Sequence, residues 1–303
     1  MGTTIDSYAE EIKDKVAGRL GSGFEVDVIK VRKNNGRTLT GLTVRREKEN
    51  VSPTIYLDGY FEDGKRDVAD EIAAICFKPS PFKDSDIVQK LTEESFARRH
   101  ICYRLINWDR NSELLKDTPH RDFLDLAIVY FLSVDVGTET HGSILVKDSM
   151  MRSWGMDEEE LFEIAKRNTP VLFHYESGRL SDVIKELSGD FTIGDGRADL
   201  RILTNREKLN GASAILYDGV LEREAKEAGG DIYVIPSSVH EVLLVKKDEG
   251  MDASDIASMI KDINETMVSP EEELSDSLYC YSSESGLEIV KTGEEKGEGD
   301  PYE

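Results

Sequence analysis

Apolar residues at Ile5, Ala9, Ile12, Val16 and Leu20 return every three to four positions, the spacing of one helix face, and Gly21 to Gly23 stop the run. The period then changes. Phe24, Val26 and Val28 alternate with Glu25 and Asp27, which predicts a half-buried strand. Asn34-Asn35-Gly36 accepts positive φ, so a hairpin turn is expected there, with Leu39 to Val44 as the returning strand and Gly41 marking a bulge in it. Ser52 to Leu57 reads as a third strand. Val68, Ile72 and Ile75 predict a second helix, closed by Pro79 and Pro81, and Ser85 caps a third that carries Ile87, Val88 and Leu91. Ile101, Tyr103 and Leu105 alternate as a strand. So do Leu126, Ile128, Tyr130 and Leu132, but there Ala127, Val129 and Phe131 fill the other phase. A strand apolar on both faces belongs at the centre of a sheet.

Strands and helices interleave beyond that point. Ser143 to Val146 predicts a short strand, and Asp157-x-x-Glu160 resembles a capping box ahead of Leu161, Ile164 and Ala165. Further strands are expected at Arg201 to Thr204, Ala212 to Tyr217, Ile232 to Ile235, Val242 to Val245, Leu274 to Tyr281 and Leu287 to Val290. Helices are expected at Val220 to Ala228, closed by Gly229-Gly230, and along Ile256, Met259, Ile260, Ile263 and Met267, whose methionines read as core. Hairpins and interleaved helices together place the fold class at α+β, with mixed or antiparallel sheets and flanking helices. Gly137-Thr138-Glu139-Thr140 breaks the pattern, so two lobes are expected, residues 1–135 and 141–292.

Composition narrows the function classes. The 303 residues carry 38 Lys and Arg against 61 Asp and Glu, a net charge of −23. That balance argues against direct nucleic-acid binding, which needs clustered cations to displace counterions, and against docking on anionic membranes. The longest apolar run, Leu124 to Val134, is cut by Asp125 and Ser133 and falls short of the roughly 20 residues that span a bilayer. The first 20 residues mix acids with apolar residues, unlike a secretory signal, so a cytoplasmic location is expected. A charge of −14 falls within the last 56 residues, and 293–303 is expected to be a disordered acidic tail. The acidic helix from Asp252 to Met267 offers a face to a basic protein partner. Cys76, Cys102 and Cys280 are widely separated and lack CxxC spacing, which reads as reduced thiols, with Cys76 in a helix core.

Catalytic signatures are sparse. No GxxxxGK[ST] loop or GxSxG elbow occurs. Gly21-Ser22-Gly23 and Gly194-Asp195-Gly196 lack the third glycine of a dinucleotide fingerprint, with Val26 and Asp199 in its place, and read as turns. His240-Glu241 opens an HExxH pattern that Leu244 breaks, and His100, His120, His141, His174 and His240 are dispersed, so neither a metal nor a cofactor is expected. One stretch concentrates reactive groups between two apolar strands: Pro236-Ser237-Ser238-Val239-His240-Glu241. Ser237, Ser238, His240 and Glu241 are the candidate catalytic residues of a hydrolase or transferase. Neighbours on an extended chain point opposite ways, which separates His240 from Glu241. The favoured reading is therefore turn chemistry, with serine hydroxyls bonding the backbone and His240 bonding a nearby carbonyl. Asn205 reads as a strand terminator, Arg45-Arg46 and Arg98-Arg99-His100 as solvated strand edges, and Trp108 and Trp154 as packing.

Asn50 to Leu57, Asp125 to Leu132, Gly142 to Val146, Gly211 to Tyr217 and above all Pro236 to Glu241 resemble segments of an uncharacterised bacterial family, a domain of unknown function. The strand-helix-Asn168 arrangement is more distantly similar to another such group. The resemblance implies a bacterial cytosolic protein and brings no activity, substrate or cofactor. A non-enzymatic binding or regulatory protein is the favoured function, and a hydrolase or transferase at the Ser237-to-Glu241 loop is the alternative.

Overall fold

The computed structural model describes residues 3–46, 54–77, 86–135, 141–179, 200–248 and 252–291. The expectations on Asn50 to Pro53, Pro79, Pro81, Ser85, Gly137 to Thr140, Gly194 to Gly196 and the tail lie outside the described residues. So do the side chains of Ile87, Val88, His141, Ile263 and Met267.

The chain opens with α1 (Ile5–Leu20), started by Thr4, whose hydroxyl accepts from the Ser7 amide at 3.3 Å, and ended by Gly21 at φ 77°. Strands β1 (Phe24–Arg32), β2 (Thr38–Arg46) and β3 (Thr54–Tyr56) form an antiparallel sheet in that order. Asn35 and Gly36 turn the hairpin with φ of 57° and 68°. The expected bulge at Gly41 is absent, because pairing runs unbroken from Phe24 opposite Arg46 to Arg32 opposite Thr38. Gly41 is small for another reason: Thr54 and Tyr56 of β3 close over it, and a Cβ would lie 2.6 Å from Thr54 Cγ2. Two helices follow, α2 (Asp58–Glu62), which no apolar period marks, and α3 (Ala69–Phe77). Ala69, Ile72, Ala73 and Cys76 are the buried stripe of α3. Ile75, expected there, is 38% exposed, because the smaller side chains supply the face that packs with α1.

Next come α4 (Asp86–Thr92), α5 (Glu94–His100), β4 (Ile101–Asn107), α6 (Ser112–Leu115), β5 (His120–Phe123), β6 (Leu126–Asp135) and β7 (His141–Leu145). Arg98-Arg99-His100, read above as a strand edge, ends α5 instead. Glu94 and Arg98 pair at 2.7 Å one helical turn apart, and the His100 ring bonds the Phe96 carbonyl at 2.8 Å. As its doubly apolar pattern requires, β6 is central, with β4 along one side and β5 then β7 along the other.

The remainder adds α7 (Asp148–Ser153) and α8 (Glu158–Leu172), the latter capped by Asp157, whose carboxylate accepts from the Glu160 amide at 2.9 Å. Then follow β8 (Tyr175–Arg179), β9 (Arg201–Asn205), α9 (Val220–Ala228), β10 (Ile232–Ile235), β11 (Val242–Lys246), α10 (Ala253–Met267), β12 (Tyr279–Ser282) and β13 (Gly286–Ile289). The six strands pair antiparallel in the order β13-β12-β10-β11-β9-β8. With three antiparallel sheets and flanking helices, the fold is α+β.

The expected strand at Ala212 to Tyr217 is a buried 3-10 segment, Gly211–Leu216. An apolar run buried all round carries no period that distinguishes the two. Leu274 to Leu278 is likewise not strand, although Leu274 and Leu278 are buried, and Met259, expected in the core, is 44% exposed on α10. The β4–β6 sheet and the six-stranded sheet share one core, to which Tyr103, Tyr130, Leu132, Val234, Leu244 and Tyr279 contribute. Asp125, in the β5–β6 turn, ties them at the edge by accepting from the hydroxyls of Ser275 at 2.6 Å, Ser277 at 2.9 Å and Tyr279.

Gly211 is wedged where these parts meet. A Cβ there would overlap Thr204 Oγ1 and the His240 carbonyl and lie 2.8 Å from the Asn205 amide. Gly211→Ala is expected to cost roughly 2–3 kcal/mol, read as a lowered midpoint in chemical denaturation; an unchanged midpoint would refute this packing.

Candidate functional site

The loop between β10 and β11 carries Ser237, Ser238, His240 and Glu241, and backbone bonds hold it on two sides. The Leu274 and Ser275 amides donate to the Ser237 and Pro236 carbonyls at 3.1 and 2.9 Å, and the Val239 amide donates to the Glu272 carbonyl at 2.8 Å. On the other side, the Ala212 amide donates to the Val239 carbonyl at 3.2 Å, and Thr204 Oγ1 donates to the His240 carbonyl at 2.7 Å. Both serines are buried. Ser238 Oγ accepts from the His240 amide at 3.0 Å, a local turn bond of the kind serine makes two residues upstream.

The imidazole has other partners. His240 Nδ1 accepts from the Asn210 amide at 3.2 Å, which places the ring proton of the neutral form on Nε2, and Nε2 lies 3.5 Å from Glu272 Oε1. Neither ring nitrogen keeps a lone pair free to take a proton from a hydroxyl, and among the described residues no hydrogen bond joins the ring to Ser237 or Ser238. The structure therefore brings His240 together with Glu272, which the sequence did not single out, while Glu241 is half-buried and is not the ring's partner.

His240 stands on the wall of a cleft of about 630 Å³. The hairpin tip, with Lys33 and Asn34, forms one side, Asn210, His240 and Glu272 another, and β4 and β7 the floor. Strand alternation fixes what β4 contributes. Tyr103 and Leu105 enter the shared core, so Cys102, Arg104 and Ile106 face outward, among Phe131, Val129 and Leu145. Arg104 is thus a half-buried cation on an apolar face. Its guanidinium carbon lies 5.9 Å from the Phe131 ring centroid, and among the described residues no carboxylate lies within ion-pair distance. Its Nε is buried without a hydrogen-bond partner, and burial lowers its pKa below the ordinary guanidinium value.

Asn34, at the hairpin tip, is in the same condition. Its Nδ2 donates to the Glu271 carbonyl at 2.8 Å, which leaves Oδ1 buried and unpartnered. The tip itself is firmly docked. Asn35 Nδ2 donates to the carbonyls of Pro270 and Glu273 at 2.8 and 2.7 Å, and Asn35 and Asn111 exchange two bonds of 2.9 Å. Arg110, next to Asn111, pairs with Glu273 and Asp276.

Arg104 escaped notice in the sequence, although one cation inside Ile101-Cys102-Tyr103-Arg104-Leu105-Ile106 is a readable anomaly. Glu272 has no such signal, being one acid in a run of three. Asn205 does end its strand, bonding both backbone groups of Leu209. Trp108 sits at the rim with its indole N–H on Asp122, and Trp154 is buried. Among the described residues no group of three or more His, Cys, Asp or Glu is placed to hold a metal ion, and no helix is long and apolar enough to cross a membrane.

Among the described residues, the fold and cleft define an antiparallel three-sheet α+β protein with an ion-pair-free guanidinium on an apolar sheet face. Residues 5–283 match the model of a family of unknown function, DUF5688, and the chain belongs to that family. No curated protein and no solved structure matches it.

Two chemical expectations follow from this geometry. A fluorophosphonate probe should leave Ser237 and Ser238 unmodified, and an adduct on either, mapped by mass spectrometry, would show that a base reaches them. Burial pushes the Cys102 thiol up to about 12, so at pH 8 only about one molecule in ten thousand carries the reactive thiolate. A maleimide should reach Cys102 only in denaturant; native labelling at the rate of a free thiol would contradict the assigned burial.

Proposed function

We propose that the protein is a cytoplasmic binding protein that holds a small phosphate-bearing molecule in the Arg104 cleft, with the Pro236-to-Glu241 loop serving as a wall of the cleft. The observation that carries this reading is that Arg104, which has no carboxylate partner among the described residues, and Asn34, whose Oδ1 is unpartnered, line the same cleft. Leaving a charged donor unpaired in an apolar setting is costly unless a ligand completes it. The two groups ask for opposite things: Arg104 needs an acceptor and Asn34 a donor. A singly protonated phosphate offers both, through its anionic oxygens and its hydroxyl. Arg32 and Lys33 add positive charge to the lining, which Glu271 and Glu272 share. The net charge of −23 sets a repulsive field against polyanions, which favours a small ligand over nucleic acid.

The cytoplasmic placement is supported by three cysteines that are all unpaired thiols. The exposed acids Asp255, Asp262 and Glu265 of α10 support a basic protein partner for that helix.

Calorimetric titration of the full chain with inorganic phosphate at low ionic strength tests the reading. Arg104→Met keeps the volume and removes the charge. It is expected to weaken phosphate binding by about ten- to a hundredfold, the worth of a hydrogen bond to a charged group, and to melt no lower than the parent, since an uncompensated buried charge is lost. Absence of phosphate binding by the parent, or equal binding by the variant, would overturn the assignment.

A further inference from the structure

A second cleft lies on the other side of β4. It measures about 360 Å³ and opens where the C-terminal end of α8 meets the turn into α9. Pro170, Leu216 and Val220 supply apolar walls. Tyr103, only 1% exposed, also lines it, and the Tyr103 hydroxyl is buried without a hydrogen-bond partner. Four other buried phenols among the described residues have partners. Tyr8 donates to the Lys65 carbonyl at 2.6 Å, Tyr217 to the Phe173 carbonyl at 2.9 Å, and Tyr130 and Tyr279 to Glu158 and Asp125.

The Tyr103 ring has little freedom to turn its hydroxyl elsewhere, since Phe162 stacks on it at 6.5 Å and Tyr217 packs at 6.3 Å. Burial also raises its pKa, so the group is a neutral donor at ordinary pH. Charges nearby are already matched: Lys166 pairs with Asp218 at 3.1 Å and Arg206 with Glu176 at 3.6 Å. What the cleft lacks is one uncharged acceptor and an apolar body to fill its walls.

We propose that this cleft is a binding site for a compact apolar molecule bearing one neutral carbonyl or ether oxygen, which accepts from the Tyr103 hydroxyl. The site is independent of the Arg104 cleft, because Tyr103 and Arg104 project from opposite faces of β4. Its volume falls within the range of small-molecule sites.

Saturation-transfer NMR and calorimetry on the full chain, with acetophenone, ethylbenzene and benzoate as probes, test the proposal. Acetophenone is expected to bind about fivefold or more tightly than ethylbenzene, which has the same carbon skeleton without the oxygen. In Tyr103→Phe that preference should vanish while the melting temperature holds or rises. Several results would overturn the proposal. These are equal affinities for acetophenone and ethylbenzene, a preference that survives Tyr103→Phe, or no binding of either. A melting temperature lowered by Tyr103→Phe would mean that the hydroxyl has a structural partner, and tightest binding of benzoate would mark an anion site instead.

Discussion

A strand that is apolar on both faces has to be covered twice, and β6 imposes that condition on the whole molecule. Its inner face, with Leu126, Ile128, Tyr130 and Leu132, is buried against the six-stranded sheet and α8. Its outer face, with Ala127, Val129 and Phe131, has among the described residues no second sheet lying across it. Short pieces cover it instead: Leu114 and Leu115 of α6, and Phe173 just past α8. Coverage by pieces is incomplete, and the Arg104 cleft is the space left over.

The hairpin tip is held by amides more than by apolar contact. Asn34, Asn35, Asn107 and Asn111 carry side chains able to donate and accept at once, and they join the hairpin, the end of β4 and the segment at 270–274. Such a junction specifies position, because these directional bonds form together in one arrangement only. It holds the hairpin tip, with Asn34, on the wall of the cleft.

The loop that looked reactive in the sequence is built into the same junction. Its carbonyls and amides are claimed by residues 272–275 and by the 3-10 segment, and Ser238 is spent on the His240 amide. Adjacent hydroxyl, imidazole and carboxylate groups were legible as a cluster, but an extended chain separates neighbours, and partners came from Asn210 and Glu272, about 30 residues away on either side. Element type was legible where one period dominated, as in α1, β1, α9 and α10, and in β6 from its doubly apolar run. It failed where polar spacing broke the period, as in β8, and where burial was complete, as at Gly211 to Leu216.

Local alternation and capping chemistry by themselves determined the helices with a single apolar stripe, the hairpin turn at Asn35-Gly36, the central place of β6 and the α+β class, because each depends on residues within a few positions. Tertiary structure alone decided which faces meet, that among the described residues Arg104 has no counterion and Tyr103 no hydrogen-bond partner, and that His240 turns to Glu272. Those outcomes depend on groups brought together from distant parts of the chain, and no local period records such distances.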